Sequence, residues 1–314
     1  MAKKSSAGRI TLQQDLQALP FLAPFLAIFG VFIGFPLVYS VWLSMHRTDI
    51  YSSWYDRFGT MQFVGLQNYA DVAASIPFWW SIFLTFVYAT LTIIPGMILS
   101  LFLAITLNRK MKGLGFYRSG FFLPNVFDIY VVGVIWLLLY NPNEGLFLRI
   151  FEWVGLGVLV QDGFLSNPYL TLPCIALAMV LKNAGFGMIL FLTALNNIPT
   201  SVFEAAEVDG ATKWQQLTHI TLPLLRPIIL FLSITGLVAT LNAFSEIYSM
   251  TDNTGGPGVN VGGQTLQAAR VSGYHLYRVF DDSFYGQAAA ISFFLLAIAL
   301  VVSVINFKFL APKD

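Results

Sequence analysis

A polar stretch stands out in an otherwise apolar chain, and from residue 204 it reads Glu204-Ala205-Ala206-Glu207-Val208-Asp209-Gly210, closing after nine more residues with Ile220-Thr221-Leu222-Pro223. Ser201 followed three residues later by Glu204 is typical of a capping box, which predicts that a short helix begins there. Gly210 can adopt the left-handed conformation that ends a helix. A second short helix is indicated by the three-residue spacing of its apolar side chains, and Pro223 is expected to end it. The stretch therefore predicts helix, turn, helix.

The composition identifies a membrane protein. Of the 314 residues, 57% are hydrophobic and only 11% are charged, and the mean hydropathy is +0.71. Soluble domains carry about 25% charged residues. A net charge of +1 without a dominant basic patch argues against a nucleic-acid partner. The single cysteine, Cys174, cannot form an internal disulfide, and its apolar surroundings favour a packing role.

Six apolar runs are long enough to span a bilayer, which needs about 20 residues for each helix. They cover residues 20–45, 78–107, 117–140, 170–195, 224–249 and 285–309. The predicted fold is all-α, with a cytoplasmic segment 1–19, a membrane domain 20–310 containing the loop 196–223, and a tail 311–314. The first run is expected to be retained as a span, because the apolar core of a signal peptide has only about 7–15 residues.

The distribution of basic residues predicts the orientation, because cytoplasmic loops carry an excess of Lys and Arg. With the N-terminus in the cytoplasm, eleven basic residues fall inside and five outside, and Lys182 falls within a span. This orientation places the polar stretch at 204–223 in the cytoplasm, together with both termini.

The pattern Glu-Ala-Ala, three residues, Gly, nine residues, Ile-x-Leu-Pro is similar to the signature loop of permease subunits of ABC importers, the sugar type in particular. Residues 63–69 and 255–257 also resemble segments of sugar-type permeases. The resemblance implies a type I importer fold, with six spans and a cytoplasmic coupling helix between spans 4 and 5. It implies these contacts with an ATPase: Glu204, Ala205, Ala206, Asp209, Gly210, Leu217 and Pro223. The alternative is that Glu204 and Gly210 only shape the helix ends.

The resemblance also implies an assembly in a bacterial cytoplasmic membrane. Its other parts would be a second, homologous permease, two ATP-binding cassette subunits, an extracytoplasmic solute-binding protein and a saccharide substrate. The chain itself is not expected to be an enzyme or to hold a cofactor. No lysine follows a glycine, so a phosphate-binding loop cannot be written anywhere and ATP must be hydrolysed by another chain. The three histidines have no paired spacing that favours a metal site.

Polar residues within the predicted spans are the candidates for a substrate pathway, since such residues usually face a cavity or each other. In the fifth span they recur at positions 242, 245, 246 and 249, which predicts a polar stripe on one helix face. Counting from the signature loop, the resemblance matches the family's intramembrane sugar site to Lys182, Asn183 and Phe186, and to positions 236, 239, 240 and 243. The predicted pathway residues are Lys182, Asn183, Phe186, Thr240, Asn242 and Glu246.

Three alternatives stay open at this point. The stripe could instead join helices, with Lys182 paired to Glu246. The whole chain could instead be an ion- or proton-coupled carrier or channel with Lys182, Glu246 and Asp128 as its relay, and an intramembrane enzyme ranks last. Under the importer hypothesis, a buried ammonium at position 182 calls for a partner. That partner would be Glu246 or an acidic oligosaccharide cargo.

Overall fold

A computed structural model describes residues 21–48, 61–109, 112–155, 157 and 163–310. The predicted cytoplasmic segment 1–19 and tail 311–314 lie outside the described residues, as do parts of the predicted loops at 49–60 and 156–162. The described chain is mostly helical. The all-α prediction is incomplete, because the described chain also contains two short antiparallel hairpins. They pair β1 (His46–Arg47) with β2 (Gln62–Phe63), and β3 (Gly258–Val261) with β4 (Gln264–Gln267).

The helices of the described chain are numbered α1 to α13 from the N-terminal end. They are α1 (Phe21–Ser44), α2 (Gln67–Ala74), α3 (Ile76–Leu107), α4 (Leu114–Val126), α5 (Ile129–Leu139), α6 (Leu146–Trp153), α7 (Thr171–Asn196), α8 (Thr200–Val208), α9 (Lys213–Leu224), α10 (Arg226–Leu241), α11 (Ser245–Met250), α12 (Ser272–Asp281) and α13 (Tyr285–Leu310).

Four of these helices are long and apolar enough to cross a membrane, namely α1, α3, α7 and α13. Two bent pairs pass the same test when each is taken as one span. They are α4 with α5, bent by 99°, and α9 with α10, bent by 64°. The described chain thus has four candidate spans, or up to six if each bent pair is one span.

The bend between α4 and α5 has a local cause. Pro124 lies near the end of α4, and Phe127 then takes an extended conformation. Asp128 begins the next helix, because its Oδ1 accepts a hydrogen bond of 2.8 Å from the backbone N–H of Tyr130. The predicted span 117–140 is therefore two helices that meet at an N-cap.

The predicted fifth span, 224–249, is not one continuous helix. The helix that Pro223 was expected to end stops one residue later, at Leu224, after a wider π-type turn just before the proline, and a first bend falls at Leu225. The second break follows Leu241, so positions 242–249 do not form one helical stripe. The carbonyl exposed by this second break is satisfied from elsewhere in the chain, because the Ser272 hydroxyl donates to the Leu241 oxygen at 2.8 Å.

Helix α7 is the centre of the bundle. In its most apolar stretch 67% of the residues are buried, against 28% in α13 and none in α1. Small residues let its neighbours approach closely: a Cβ on Gly187 would lie 2.4 Å from Ser100 Oγ of α3, and one on Gly185 would lie 2.0 Å from the Phe121 carbonyl of α4. Ser100 also donates to the Ala184 carbonyl at 3.0 Å. Helix α7 thus holds α3 and α4 on two of its faces.

Candidate functional site

The signature loop is a helix, a left-handed glycine and a second helix, as predicted. Helix α8 ends in a Schellman motif: the N–H of Gly210 bonds the Glu207 carbonyl at 3.1 Å, and the N–H of Ala211 bonds the Ala206 carbonyl at 2.8 Å. Gly210 has a φ of +78°, and no other group lies within 4 Å of where its Cβ would be. Backbone conformation, not crowding, therefore selects glycine at this turn.

The predicted capping box at Ser201 and Glu204 is wrong. Helix α8 begins two residues earlier than a cap at Ser201 implies, because its N-cap position is Pro199, and it has no side-chain cap. The capping box of this loop lies at the second helix instead, where Thr212 and Gln215 bond each other's backbone N–H groups. Lys213 bonds Glu207 across the turn, and this hydrogen bond lowers the pKa of the Glu207 carboxyl. The ion pair ties α8 to α9.

Most of the predicted coupling residues present an open surface. Glu204, Ala205, Asp209 and Gly210 are exposed, whereas Ala206, Leu217 and Pro223 are partly buried. Two apolar side chains project from the same loop, with 88% of Val208 and 71% of Trp214 exposed. Neither was among the predicted contacts. A large apolar side chain exposed in a polar loop is the signal that could have identified them.

A cavity of about 410 Å³ lies within the bundle and is the candidate pathway site. Residues of α3, α7 and α10, together with the broken segment after α10, form its walls. Its polar lining consists of Tyr88, Thr92, Ser100, Asn183, Thr240, Asn242, Ser245 and Glu246. A concave site with apolar walls and a few convergent polar groups is the usual form of a small-molecule site.

The structure brings four of the six predicted pathway residues together at this cavity: Asn183, Thr240, Asn242 and Glu246. Positions 236, 239 and 243, which the resemblance also indicated, line it as well. Lys182 and Phe186 are not among the described residues that line it. Lys182 is only 6% exposed, and Phe186 is 42% exposed. On the α7 side, Asn183 is therefore the one predicted residue among the described residues that line the cavity.

Glu246 has a neutral hydrogen-bond partner. The Tyr88 hydroxyl donates to its Oε1 at 3.1 Å, and both side chains are buried. The alternative of a direct Lys182–Glu246 ion pair is wrong, because no such contact forms between these two described residues; the charge of Lys182 acts on Asp128 and Glu246 at longer range. Lys182 is thus buried and outside the described lining, although Glu246, one of the two carboxylates near it, does line the cavity.

Sequence reasoning missed the contribution of α3. Its positions 88, 92, 96 and 100 recur every four residues and all line the cavity. They are Tyr, Thr, Gly and Ser within an apolar span, so a period-four polar and small pattern was the available signal. On the α7 side, Asn183 accepts a hydrogen bond of 3.3 Å from Asn125 of α4, which helps to orient its amide.

The fold and site define a polytopic membrane protein with an internal polar cavity and a structured loop at one end of the bundle. Residues 72–311 match the family model for the binding-protein-dependent transport system inner membrane component. The chain belongs to this family.

Relatives cover nearly the whole chain. The trehalose/maltose transport system permease protein MalF of Thermococcus litoralis is 31% identical over 287 residues, which are 91% of each chain. The lactose transport system permease protein LacF of Rhizobium radiobacter is 28% identical and covers 96% of this chain and 97% of its own. A crystal structure of a bacterial ABC transporter that imports the acidic polysaccharide alginate matches with a TM-score of 0.75 at 24% identity, covering 95% of this chain and 96% of that one. At that identity the match shows the fold.

Proposed function

We propose that this chain is the membrane subunit of an ATP-driven, binding-protein-dependent saccharide importer, and that it forms half of the translocation pathway. The observation that carries the proposal is the 410 Å³ cavity. Residues matched by counting from the signature loop, on both sides of it, come together in its walls. Family membership and relatives named for trehalose/maltose and lactose transport support a sugar as cargo.

Sugar hydroxyls would be bound in the cavity by side chains that both donate and accept hydrogen bonds. Tyr88, Asn183, Thr240 and Asn242 offer such groups, and Phe244 adds an aromatic surface. Each lost hydrogen bond to cargo is expected to cost about 0.5–1.5 kcal/mol, which corresponds to roughly two- to tenfold in affinity.

The loop formed by α8 and the start of α9 would be the coupling element. We propose that its exposed residues Glu204, Ala205, Asp209 and Gly210 contact an ATP-hydrolysing subunit, with Val208 and Trp214 as apolar anchors. Ala206, Leu217 and Pro223 would support the loop from its partly buried side. Apolar side chains that fill partner pockets commonly carry most of the binding energy of an interface. Within the loop, the Schellman turn and the Lys213–Glu207 pair join α8 to α9.

The remaining parts of the assembly follow from the family. We propose six spans, with the bent pairs each counted as one, and both termini in the cytoplasm, from the bias of eleven basic residues against five. A second permease would complete the pathway, two ATP-binding cassette subunits would supply hydrolysis, and an extracytoplasmic binding protein would deliver cargo. The membrane would be the bacterial cytoplasmic membrane.

The charge of the saccharide cargo is a separate part of the proposal. An acidic oligosaccharide is part of the proposal, because Lys182 is a buried cation near the cavity residue Glu246 and one neighbour in fold imports alginate. Direct contact would require the ammonium of Lys182 to enter the cavity during the transport cycle. If acidic cargo binds, Lys182→Met should weaken its uptake and leave neutral disaccharide uptake unchanged.

The test is uptake of labelled saccharide into proteoliposomes that contain the chain with the subunits that co-purify with it. We expect uptake only with binding protein outside and ATP enclosed. Neutral disaccharides and acidic oligosaccharides are compared side by side, in wild type and in Lys182→Met. Uptake driven by an ion or proton gradient without ATP would contradict the proposal and favour the carrier alternative, with Lys182, Glu246 and Asp128 as relay.

A further inference from the structure

A second cavity lies between α4 and α7, at the end of the bundle where the signature loop begins. Its volume is about 290 Å³, and it is separate from the pathway cavity, with no lining residue in common. We propose that this second cavity binds the phosphate head group of an anionic phospholipid from the leaflet on the loop side. The side of the membrane rests on the proposed orientation, whereas the ligand chemistry rests on the lining alone.

Arg118 is the charged group at this cavity. Its Nη2 donates to the carbonyl of Leu107, the last residue of α3, at 3.0 Å. Its Nε is buried and has no hydrogen-bond partner in the described chain. A guanidinium carries five N–H donors in a planar fork that matches phosphate oxygens, so Arg118 keeps donors for a ligand after it has bonded Leu107. A buried donor without a partner is costly unless a ligand satisfies it.

The rest of the lining is divided into a polar and an apolar part. Ser119, Thr193 and Asn196 provide hydroxyl and amide groups, whereas Phe122, Ile189 and Leu192 provide an apolar wall. The described residues lining this cavity include no Asp or Glu that would repel an anion. An amphipathic site of this kind suits a phosphate joined to an acyl chain better than it suits a free inorganic anion.

The surrounding charge also favours an anionic lipid. Four basic residues fall between positions 109 and 118, just after α3, namely Arg109, Lys110, Lys112 and Arg118. Basic clusters directly cytoplasmic of a spanning helix, and basic pockets between such helices, attract anionic lipid head groups. The cavity thus contains Arg118, one of these four basic residues, and lies next to the end of α7 from which the signature loop continues.

The experiment measures lipid binding to the purified full chain in a neutral detergent by native mass spectrometry. Phosphatidylglycerol and phosphatidylcholine with identical acyl chains are titrated separately. We expect the anionic lipid to bind about tenfold more tightly, and Arg118→Gln to lose that preference. Arg149→Gln, an exposed arginine on α6, is the matched control and should bind both lipids as wild type does.

Asn196→Leu is the second variant, because it leaves the Arg118–Leu107 bond intact and so separates lipid binding from capping of α3. It should also weaken phosphatidylglycerol binding. Equal binding of the two lipids by wild type, or unchanged preference in both variants, would overturn the proposal. Complete competition by inorganic phosphate would show a free-anion site instead. Loss of the bound lipid when the whole assembly forms would show that a partner subunit covers the cavity, and would overturn the proposal for the assembled protein. None of these readouts depends on ATP-driven uptake, so their failure is distinct from failure of the proposed function.

Discussion

At the scale of single residues, the turn of the signature loop requires a residue at position 210 that tolerates a positive φ. Its φ of +78° costs a non-glycine residue about 1–2 kcal/mol, and its surroundings are open. We predict that Gly210→Val reduces substrate-stimulated ATP hydrolysis and uptake at least tenfold, whereas Gly210→Asn retains most of both because Asn tolerates this conformation. The measurement is hydrolysis by the reconstituted assembly.

Gly65 supplies the control for Gly210. It has a φ of +59° and equally open surroundings, but it lies far from the loop in the segment before α2. Gly65→Val should carry a similar backbone penalty and leave both substrate-stimulated hydrolysis and uptake close to wild type. Wild-type stimulated hydrolysis in Gly210→Val would contradict the coupling role of the turn.

A buried histidine predicts a dependence of stability on pH. His275 of α12 accepts a hydrogen bond from Arg270 Nε at 3.0 Å, and burial followed by the charge of Arg270 lowers its pKa to about 3. The unfolded chain, with an ordinary pKa of about 6.5, therefore binds more protons below that pH. We expect the free energy of unfolding in detergent to fall as pH drops from about 6.5 toward 3, by at most about 1.4 kcal/mol per pH unit from this group.

His275→Gln should reduce that slope, since its side-chain oxygen can still accept from Arg270 and it has no proton to gain. His219→Gln, at an exposed position of α9, is the control and should keep the wild-type slope. An unchanged slope in His275→Gln would assign the pH dependence to other groups.

The residues also show what a sequence can and cannot indicate. Gly210 and the polar positions 183, 240, 242 and 246 were recognisable, because special backbone conformation and polarity within a span are visible locally. The start of α8 was not recognisable, because its N-cap is Pro199, two residues before the Ser201 that the capping pattern indicated. Lys182 was expected at the cavity, yet it is buried outside the described lining, because the direction of its side chain depends on the neighbouring helices.

At the scale of elements, the tight contact between α3 and α7 should be the most sensitive to bulk. A Cβ on Gly187 would lie 2.4 Å from Ser100 Oγ and 2.9 Å from Ser100 Cβ. We predict that Gly187→Leu pushes α3 from α7 and destabilises the chain by about 1–3 kcal/mol. Thermal unfolding of the purified chain measures the effect. Gly120→Leu in α4, where nothing lies within 4 Å, should be nearly neutral, and equal effects of the two would contradict this packing.

The ends of the straight, apolar spans could be predicted to within a few residues, but the breaks within spans were harder to predict. The bend at Asp128 had a local signal in Pro124 and the capping aspartate. The break after Leu241 had none, because residues 242–244 include neither Pro nor Gly. It is stabilised from a distance: Ser272 bonds the Leu241 carbonyl, and the backbone of Gly273 approaches that of Asn242 so closely that a Cβ would lie 2.6 Å from its carbonyl carbon. Such contacts cannot be read from a local pattern.

At the scale of the whole molecule, orientation can be checked directly. We predict that a reporter fused after Thr212 behaves as cytoplasmic and one fused after Asn260 as external, since the basic residues favour the loop side by eleven to five. Alkaline phosphatase and fluorescent-protein fusions, active on opposite sides, provide the measurement. An external signal at Thr212 would contradict both the six-span topology and any contact of the loop with a cytoplasmic ATPase.

The number of apolar runs and the family were accessible from sequence, while the arrangement of the helices was not. Which face of each span meets its neighbour depends on small residues such as Gly185 and Gly187, and on helix rotation that a single sequence does not specify. The polar residues of α3 carry a period-four pattern, but the sequence does not indicate which helices that face meets. Their role follows only when α3 is placed against α7 and α10, so that one cavity collects residues separated by more than 150 positions.

The central claim is that a saccharide passes through the 410 Å³ cavity, and adjacent positions on α7 test it. Val180 lines the cavity, whereas Leu181 is 43% exposed and is not among its lining residues. Each is replaced by Cys in a Cys174→Ser background within the complete assembly, and alkylation by a neutral maleimide is timed during ATP-driven transport. We predict that saturating saccharide slows alkylation at Val180→Cys several-fold and leaves Leu181→Cys unchanged. Equal rates with and without saccharide at Val180→Cys would contradict the claim.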